Sequence, residues 1–336
     1  MSPLCRAMAR LHLNESPYPP SPLVAEELAR SAYTLNRYRD EDLERALLRE
    51  IARYVDVPRE FVSVYPSSSA ALIAIMKMCR FEGLRFVTTH PGFHALREFA
   101  RLEGIEIERI PLKLPNFELD LDEVLRRVDD RTVLMIANPN NPTSNVLIDR
   151  EEVVERLAER VRILVLDEAY AEFWGKSFVS LTKRVPNLVI VRTFSKAFAL
   201  AGARIGYIVA QPQTLKKIDS YRVPFDLPTP SIAAALAALQ DRRHAQMIVR
   251  NVVHLRERMA RELRSMGLRV LPSATNFLFV DVGRRCSEVA EELRKRNILV
   301  ACFEEPPIET FIRVSVGREE ECFEFIKALR EVLARG

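Results

Sequence analysis

LVIVRTFSKAFALAGARIGYIVA, residues 188–210, holds two short apolar, β-branched runs, 188–191 and 205–210, that read as buried strands. Between them lie Thr193, Ser195, Lys196 and Arg204. A lysine at the end of a buried strand loses hydration, so its pKa falls and the free amine becomes available as a nucleophile. Two hydroxyls and an arginine beside it can hold a phosphate. An amine able to form a Schiff base next to a phosphate site is what pyridoxal 5'-phosphate (PLP) demands of a protein. A solvated lysine in an ordinary turn is the plain alternative, and the rest of the chain must decide between them.

Upstream, the pattern alternates strand and helix. Strands are predicted at 61–65, 85–89, 105–111, 133–137 and 162–166, with helices at 70–80, 94–103, 121–128 and 151–161 between most of them. With 188–193 and 205–210 they predict an α/β fold, a mainly parallel seven-stranded sheet covered by helices. Ligand groups then belong at the carboxyl ends of the strands. Strand 61–65 is followed by Pro66-Ser67-Ser68-Ser69 and a helix, which is either an anion site of hydroxyls and free N–H groups or a plain N-cap. Strand 133–137 runs into Asn138-Pro139-Asn140-Asn141-Pro142-Thr143, a rigid turn able to aim an amide. Strand 162–166 ends in Asp167-Glu168-Ala169-Tyr170, and a carboxylate directly after a buried strand needs a cationic partner. A protonated pyridine nitrogen would be one.

The proline-rich opening 13–22 predicts an extended arm, after which Ser21 caps a helix with Pro22 at its first position, running to 31. A polar turn at 35–40 leads into a helix at 41–55, with Leu43, Leu47 and Ile51 at helical spacing. Beyond Pro230 one long helical stretch, 231–266, is predicted, stopped by Gly267. Strands at 268–271, 276–282, 298–303 and 311–315, with helices at 287–296 and 319–334, suggest a smaller α+β lobe.

Composition excludes several classes. The hydrophobic share of 48% and charged share of 29% over 336 residues are those of a globular chain with room for more than one lobe. The net charge of +4 is small and interspersed, which suits an anionic ligand and gives no nucleic-acid surface. Residues 1–10 lack an apolar targeting core and no run is long enough to span a bilayer, so a cytoplasmic protein without a membrane partner is expected. Cys5, Cys79, Cys286, Cys302 and Cys322 are scattered, which predicts reduced thiols. His90 and His94 have metal-ligand spacing, but Pro91 and Gly92 prevent the helix that would align them, so no metal is expected. No dinucleotide or P-loop glycine pattern occurs. Ser180 and Lys183 fit the Ser-x-x-Lys pattern of acyl-transfer enzymes, yet its companion motifs are missing and a solvated loop explains it better.

In their order along the chain, Leu13-Asn14-Glu15, Leu35-Asn36-Arg37-Tyr38, 138–143, 167–170 and Ser195-Lys196-Ala197 with Arg204 resemble the fold-type-I PLP-dependent aminotransferases, most closely their histidinol-phosphate branch. The resemblance implies an arm and first helix at 1–34 packing with the small domain, a large PLP-binding domain at 35–235 and a small C-terminal domain at 236–336. It implies that Lys196 carries PLP and moves the Cα proton, that Asp167 keeps the pyridine nitrogen protonated, and that Asn141 and Tyr170 bond its phenolic oxygen. Ser68, Ser69, Thr193, Ser195 and Arg204 would hold the phosphate, and Phe93 would stack on the ring. Tyr38 would reach the neighbouring subunit's cofactor in a homodimer. Asn276, Arg313 and Tyr18 would receive a small-molecule amino donor and a 2-oxo acid. Ser67, Ala70 and Ser144 depart from the family's usual residues, and Ala301-Cys302 stands where close relatives carry a second substrate arginine. An aromatic amino-acid aminotransferase and a threonine-phosphate decarboxylase are the alternatives on the same fold.

Overall fold

The computed structural model describes residues 8–38 and 40–334. The basic opening 1–7, with Cys5, and Arg39 of the polar turn lie outside the described residues. Among the described residues twelve strands run in order as β1 (Ala9–Leu11), β2 (Val62–Tyr65), β3 (Arg85–His90), β4 (Ile107–Pro111), β5 (Thr132–Ala137), β6 (Ile163–Asp167), β7 (Leu188–Thr193), β8 (Gly206–Val209), β9 (Arg269–Val270), β10 (Phe277–Asp281), β11 (Ile298–Cys302) and β12 (Phe311–Ser315).

Seven of them form one sheet in the order β2-β8-β7-β6-β5-β3-β4. Only β8 runs against its neighbours, β2 and β7; the pairs β3–β4, β3–β5, β5–β6 and β6–β7 are parallel. Every residue of β5, β6 and β7 is buried. That follows from helices on both faces, and the strand period of two sorts the side chains between them. Leu134, Ile136, Leu164, Leu166, Leu188 and Ile190 join one core, while Val133, Met135, Ile163, Val165, Val189 and Val191 join the other.

The second sheet has the order β1-β11-β12-β10-β9. Its parallel edge strand β1 pairs Ala9, Arg10 and Leu11 with Ile298, Leu299 and Val300. Three residues carry too little periodicity to announce a strand, so β1 escaped the sequence reading. The arm after it, as expected, has no regular secondary structure before the helix Pro22–Ser31, whose N-cap is Ser21.

Two expectations need correction. The helical stretch predicted at 231–266 is two helices, Thr229–Gln240 and Arg242–Ser265, parted at Asp241. Asp241 accepts a hydrogen bond from His244 N and another, of 2.6 Å, from Ser21 Oγ. A short acidic side chain competes with the helix for backbone donors, which starts a new helix there. The predicted domain edge at 235/236 falls inside the first of the two. The thiol expectation also fails: Cys286 and Cys302 form a disulfide, with Cα atoms 5.5 Å apart across 16 residues of sequence. The fold brings the start of the helix Cys286–Arg294 against the end of β11, a proximity that spacing alone does not reveal. Cys79 and Cys322 are buried free thiols. Among the described residues no helix is long and apolar enough to cross a membrane.

Candidate active site

Ala137, Asp167 and Thr193 are the last residues of β5, β6 and β7, and all three line one cavity of about 400 Å³. Arg313 of β12 and residues 13–15 of the arm close it from the other side. Ser68, Ser69, Phe93, Asn141, Tyr170, Ser195, Lys196 and Arg204 line it as well. Tyr18, Tyr38 and Asn276 lie outside its wall.

Lys196 sits in the loop that follows β7, and its Nζ donates to the backbone carbonyls of Leu13 at 3.2 Å and Asn14 at 2.9 Å. The ammonium lies 5.9 Å from the centre of the Tyr170 ring. Burial, reinforced by the positive charges of Arg313 and Arg204, lowers its pKa to about 8. A useful share of free amine is therefore present near neutral pH.

Asp167 and Glu168 are adjacent carboxylates with opposite fates. Glu168 is buried against Arg192 at 3.1 Å and accepts the Phe178 N–H at 2.7 Å. Asp167 accepts only the Ala169 N–H, at 3.1 Å, among the described residues, and burial pushes its pKa up to about 6. Among the described residues an ion-pair partner in contact exists for Glu168 and not for Asp167, which feels the charge of Lys196 only from a distance.

Hydroxyls and a guanidinium line the same cavity. Ser67 caps the helix Ser68–Glu82, its Oγ accepting the Ala70 N–H at 3.0 Å. Its φ of 170° is extended backbone, so a serine fits there without strain. A Cβ on Gly206 would meet Ser68 N at 2.5 Å, so only glycine lets β8 approach the N-terminus of that helix. Thr193 Oγ1 donates to Ser195 Oγ at 2.9 Å and accepts the Ser195 N–H at 3.1 Å. Arg204 holds a left-handed conformation, φ 50°, with Nη1 on Ala201 O at 3.1 Å.

The remaining wall is aromatic and amide. Tyr170 accepts a 2.9 Å bond from Asn14 Nδ2, and burial raises its hydroxyl to about 12. Asn141 Oδ1 accepts from Arg313 Nη1 at 2.6 Å, and Arg313 Nη2 reaches His12 O at 2.6 Å. The Arg313 guanidinium lies 5.4 Å from the ring centres of both Phe277 and Phe303, and its Nε has no partner. Ser144, where glycine is usual, takes φ 65° and anchors its hydroxyl on Pro272 O at 3.1 Å.

Outside the cavity, Asn276 is buried beneath the arm with Nδ2 on Asn14 O at 3.0 Å, and Tyr18 packs half-buried on the core. Tyr38 is 85% exposed, its ring 5.7 Å from that of Phe225, itself 73% exposed. Among the cavity residues without an assigned role are Asn14 and His94. Asn14 was only part of a motif, and His94 was weighed only as a metal ligand. Lys183 of the Ser-x-x-Lys pattern is paired with Asp56 at 3.1 Å on the surface.

The family description "Aminotransferase class I and II" matches residues 7–329. The chain belongs to that family. The aminotransferase is 37% identical to the histidinol-phosphate aminotransferase of Thermococcus gammatolerans, covering 96% of this chain and 91% of the relative. It is 32% identical to the enzyme of the same name from Sulfurisphaera tokodaii, over 97% of this chain and 91% of that one. Its fold superposes with a TM-score of 0.88 and 28% identity on the crystal structure of histidinol-phosphate aminotransferase from Sinorhizobium meliloti in complex with pyridoxal-5'-phosphate, covering 98% and 92% of the two chains.

Proposed function

We propose that this PLP-dependent aminotransferase transfers the amino group of histidinol phosphate to 2-oxoglutarate, as a cytoplasmic homodimer. One observation carries the reading: a single cavity gathers a lysine whose pKa is lowered to about 8, a buried carboxylate with no ion-pair partner among the described residues, and an arginine whose Nε has no partner among them. Relatives and a structural neighbour that bear the name histidinol-phosphate aminotransferase support the donor.

The residues present fit PLP. Asp167 has room for the positive charge of a pyridinium, and the N-terminus of the helix Ser68–Glu82 with Thr193, Ser195 and Arg204 offers a phosphate cradle. When bound, PLP supplies the electron sink for loss of the Cα proton. Lys196 Nζ would hold the cofactor's aldehyde carbon and then carry that proton between carbon positions. Asp167 would keep the ring nitrogen protonated, Tyr170 and Asn141 would bond its phenolic oxygen, and Phe93 would cover one face. Arg313 would receive the phosphate of the donor and a carboxylate of the acceptor in turn. The exposed aromatic pair Tyr38 and Phe225 supports a second subunit packing there.

A second reading, an aromatic amino acid as donor, is favoured by the aromatic rings of Phe277 and Phe303 around Arg313 and by Ala301 across the ladder from it. Product analysis tests both. The purified protein should be yellow, borohydride should fix one cofactor on Lys196, and histidinol phosphate with 2-oxoglutarate should yield glutamate. Retention of the reducible adduct in Lys196→Ala would sink the lysine's role. A clear kcat/KM preference for phenylalanine would move the donor to the second reading, and carbon dioxide from threonine phosphate would indicate a decarboxylase.

A further inference from the structure

A phosphate ester offers three oxygens and up to two charges, and one guanidinium cannot satisfy it. Two of the Arg313 terminal donors are already spent on Asn141 Oδ1 and His12 O. The residue directly opposite Arg313 in the β11–β12 ladder is Ala301, which brings no side-chain donor. Arg97 and Arg109 do not line this cavity, and both are engaged by the carboxylate of Glu305. His94 remains. Its ring sits 5.4 Å from Phe303, which in turn lies 5.4 Å from the Arg313 guanidinium, and it meets Phe93 edge-on at 5.7 Å. It lines the same cavity as Arg313, is exposed, and its ring nitrogens have no hydrogen-bond partner among the described residues.

We infer that His94 is the second phosphate-binding residue of the amino-donor site, donating a ring N–H to the donor's phosphate beside Arg313. The inference rests on the histidinol-phosphate reading and deepens it: the site selects an amine whose neighbouring carbon bears a phosphate ester. Packing between Phe93 and Phe303 holds the ring at the wall, so the donor is pre-placed with little entropy left to lose. A carboxylate, with one charge and two oxygens, is met by Arg313 in bidentate fashion and has less use for His94. His94 therefore discriminates between phosphate and carboxylate ligands of one arginine.

The test compares kcat/KM for histidinol phosphate and for histidinol, the same amine without the phosphate, in the PLP-loaded protein. His94→Ala should reduce that ratio by roughly tenfold, mainly through KM for histidinol phosphate, as loss of one hydrogen bond to a charged group would. His94→Gln keeps an N–H donor at similar reach and should hold the ratio within about threefold of the starting protein. A ratio unchanged in His94→Ala overturns the inference and leaves the histidinol-phosphate reading standing. A glutamine variant as defective as the alanine one also overturns it, since packing alone would then explain the loss. If the unaltered protein does not prefer histidinol phosphate over histidinol, both the inference and the donor reading fall.

Discussion

Lys196 and Asn14 are joined by a 2.9 Å hydrogen bond from the lysine Nζ to the asparagine's backbone carbonyl. Leu13 O takes a second donor, so a neutral amine spends both N–H groups on the arm and keeps its lone pair free. Asn14 is itself over-determined. It sits at φ 53°, its N–H donates to Ser315 Oγ at 2.9 Å, its amide donates to Tyr170, and its carbonyl also accepts from Asn276. The arm thus ties β12 of the second sheet to the loop after β6 of the first, and the reactive lysine is oriented by backbone rather than by a counter-charge.

Asp167 should reveal a conflict between stability and activity. Its pKa is raised, to about 6 from 3.8, so the buried carboxyl costs stability in full above about pH 6; the cost shrinks as pH falls from 6 towards 4 and is gone below that. Without PLP, Asp167→Asn should therefore unfold later than the parent at pH 7, by on the order of 3 kcal/mol, and no later at pH 4. Loaded with PLP, the same variant should lose about 10²-fold or more in turnover, because the ring nitrogen is no longer held protonated. Thermal unfolding at the two pH values and steady-state rates measure both. Near-parental turnover would remove Asp167 from the chemistry.

Where a signal was local, the chain was legible. Helices Pro22–Ser31 and Glu41–Val55 begin and end where Ser21, Pro22, Asp40 and the apolar spacing put them. The seven-stranded sheet was readable because buried parallel strands are continuous β-branched runs. The gathering of Lys196, Asp167 and Asn141 followed from one topological rule, that such sheets present strand ends on one side. What was hidden depends on partners far away in sequence. β1 exists because β11 lies beside it, and Asp241 breaks a helix where Ser21 meets it. Cys302 finds Cys286 only after β11 has folded against its helix, and His94 acquires a role only once Phe303, the residue after β11, comes to lie beside it.

Assembly is testable at Phe225. Tyr33, Leu35, Tyr38, Val223 and Phe225 are large apolar side chains left exposed in the single chain, and Tyr38 already contacts Phe225. Exposed apolar side chains of this kind, with Tyr38 and Phe225 in contact, are expected to be covered by another copy. Phe225→Glu places a charge within it and should shift sedimentation from dimer to monomer at micromolar protein, with activity falling in parallel. A fully active monomer would contradict the place given to Tyr38.

Arg313 joins the cofactor side of the cavity to the substrate side. Its Nη1 holds Asn141 Oδ1, its Nη2 holds His12 O, and Phe277 and Phe303 pack around the guanidinium. Lysine in its place keeps a charge but presents a single ammonium, which cannot form the planar fork or reach both Asn141 and the backbone. Arg313→Lys should therefore lower kcat/KM for the amino donor by roughly tenfold or more. Arg313→Ala should lower it by roughly 10²-fold or more, because it also leaves Asn141 Oδ1 without its donor in a buried place. Neither change removes Lys196, Asp167 or the phosphate cradle, so the cofactor's absorption should persist in both variants, although without the Arg313 charge the Lys196 amine should titrate higher in Arg313→Ala. Loss of cofactor binding in Arg313→Lys, with donor kcat/KM restored when PLP is raised to saturation, would make Arg313 a support of the cofactor and not a receptor for the donor.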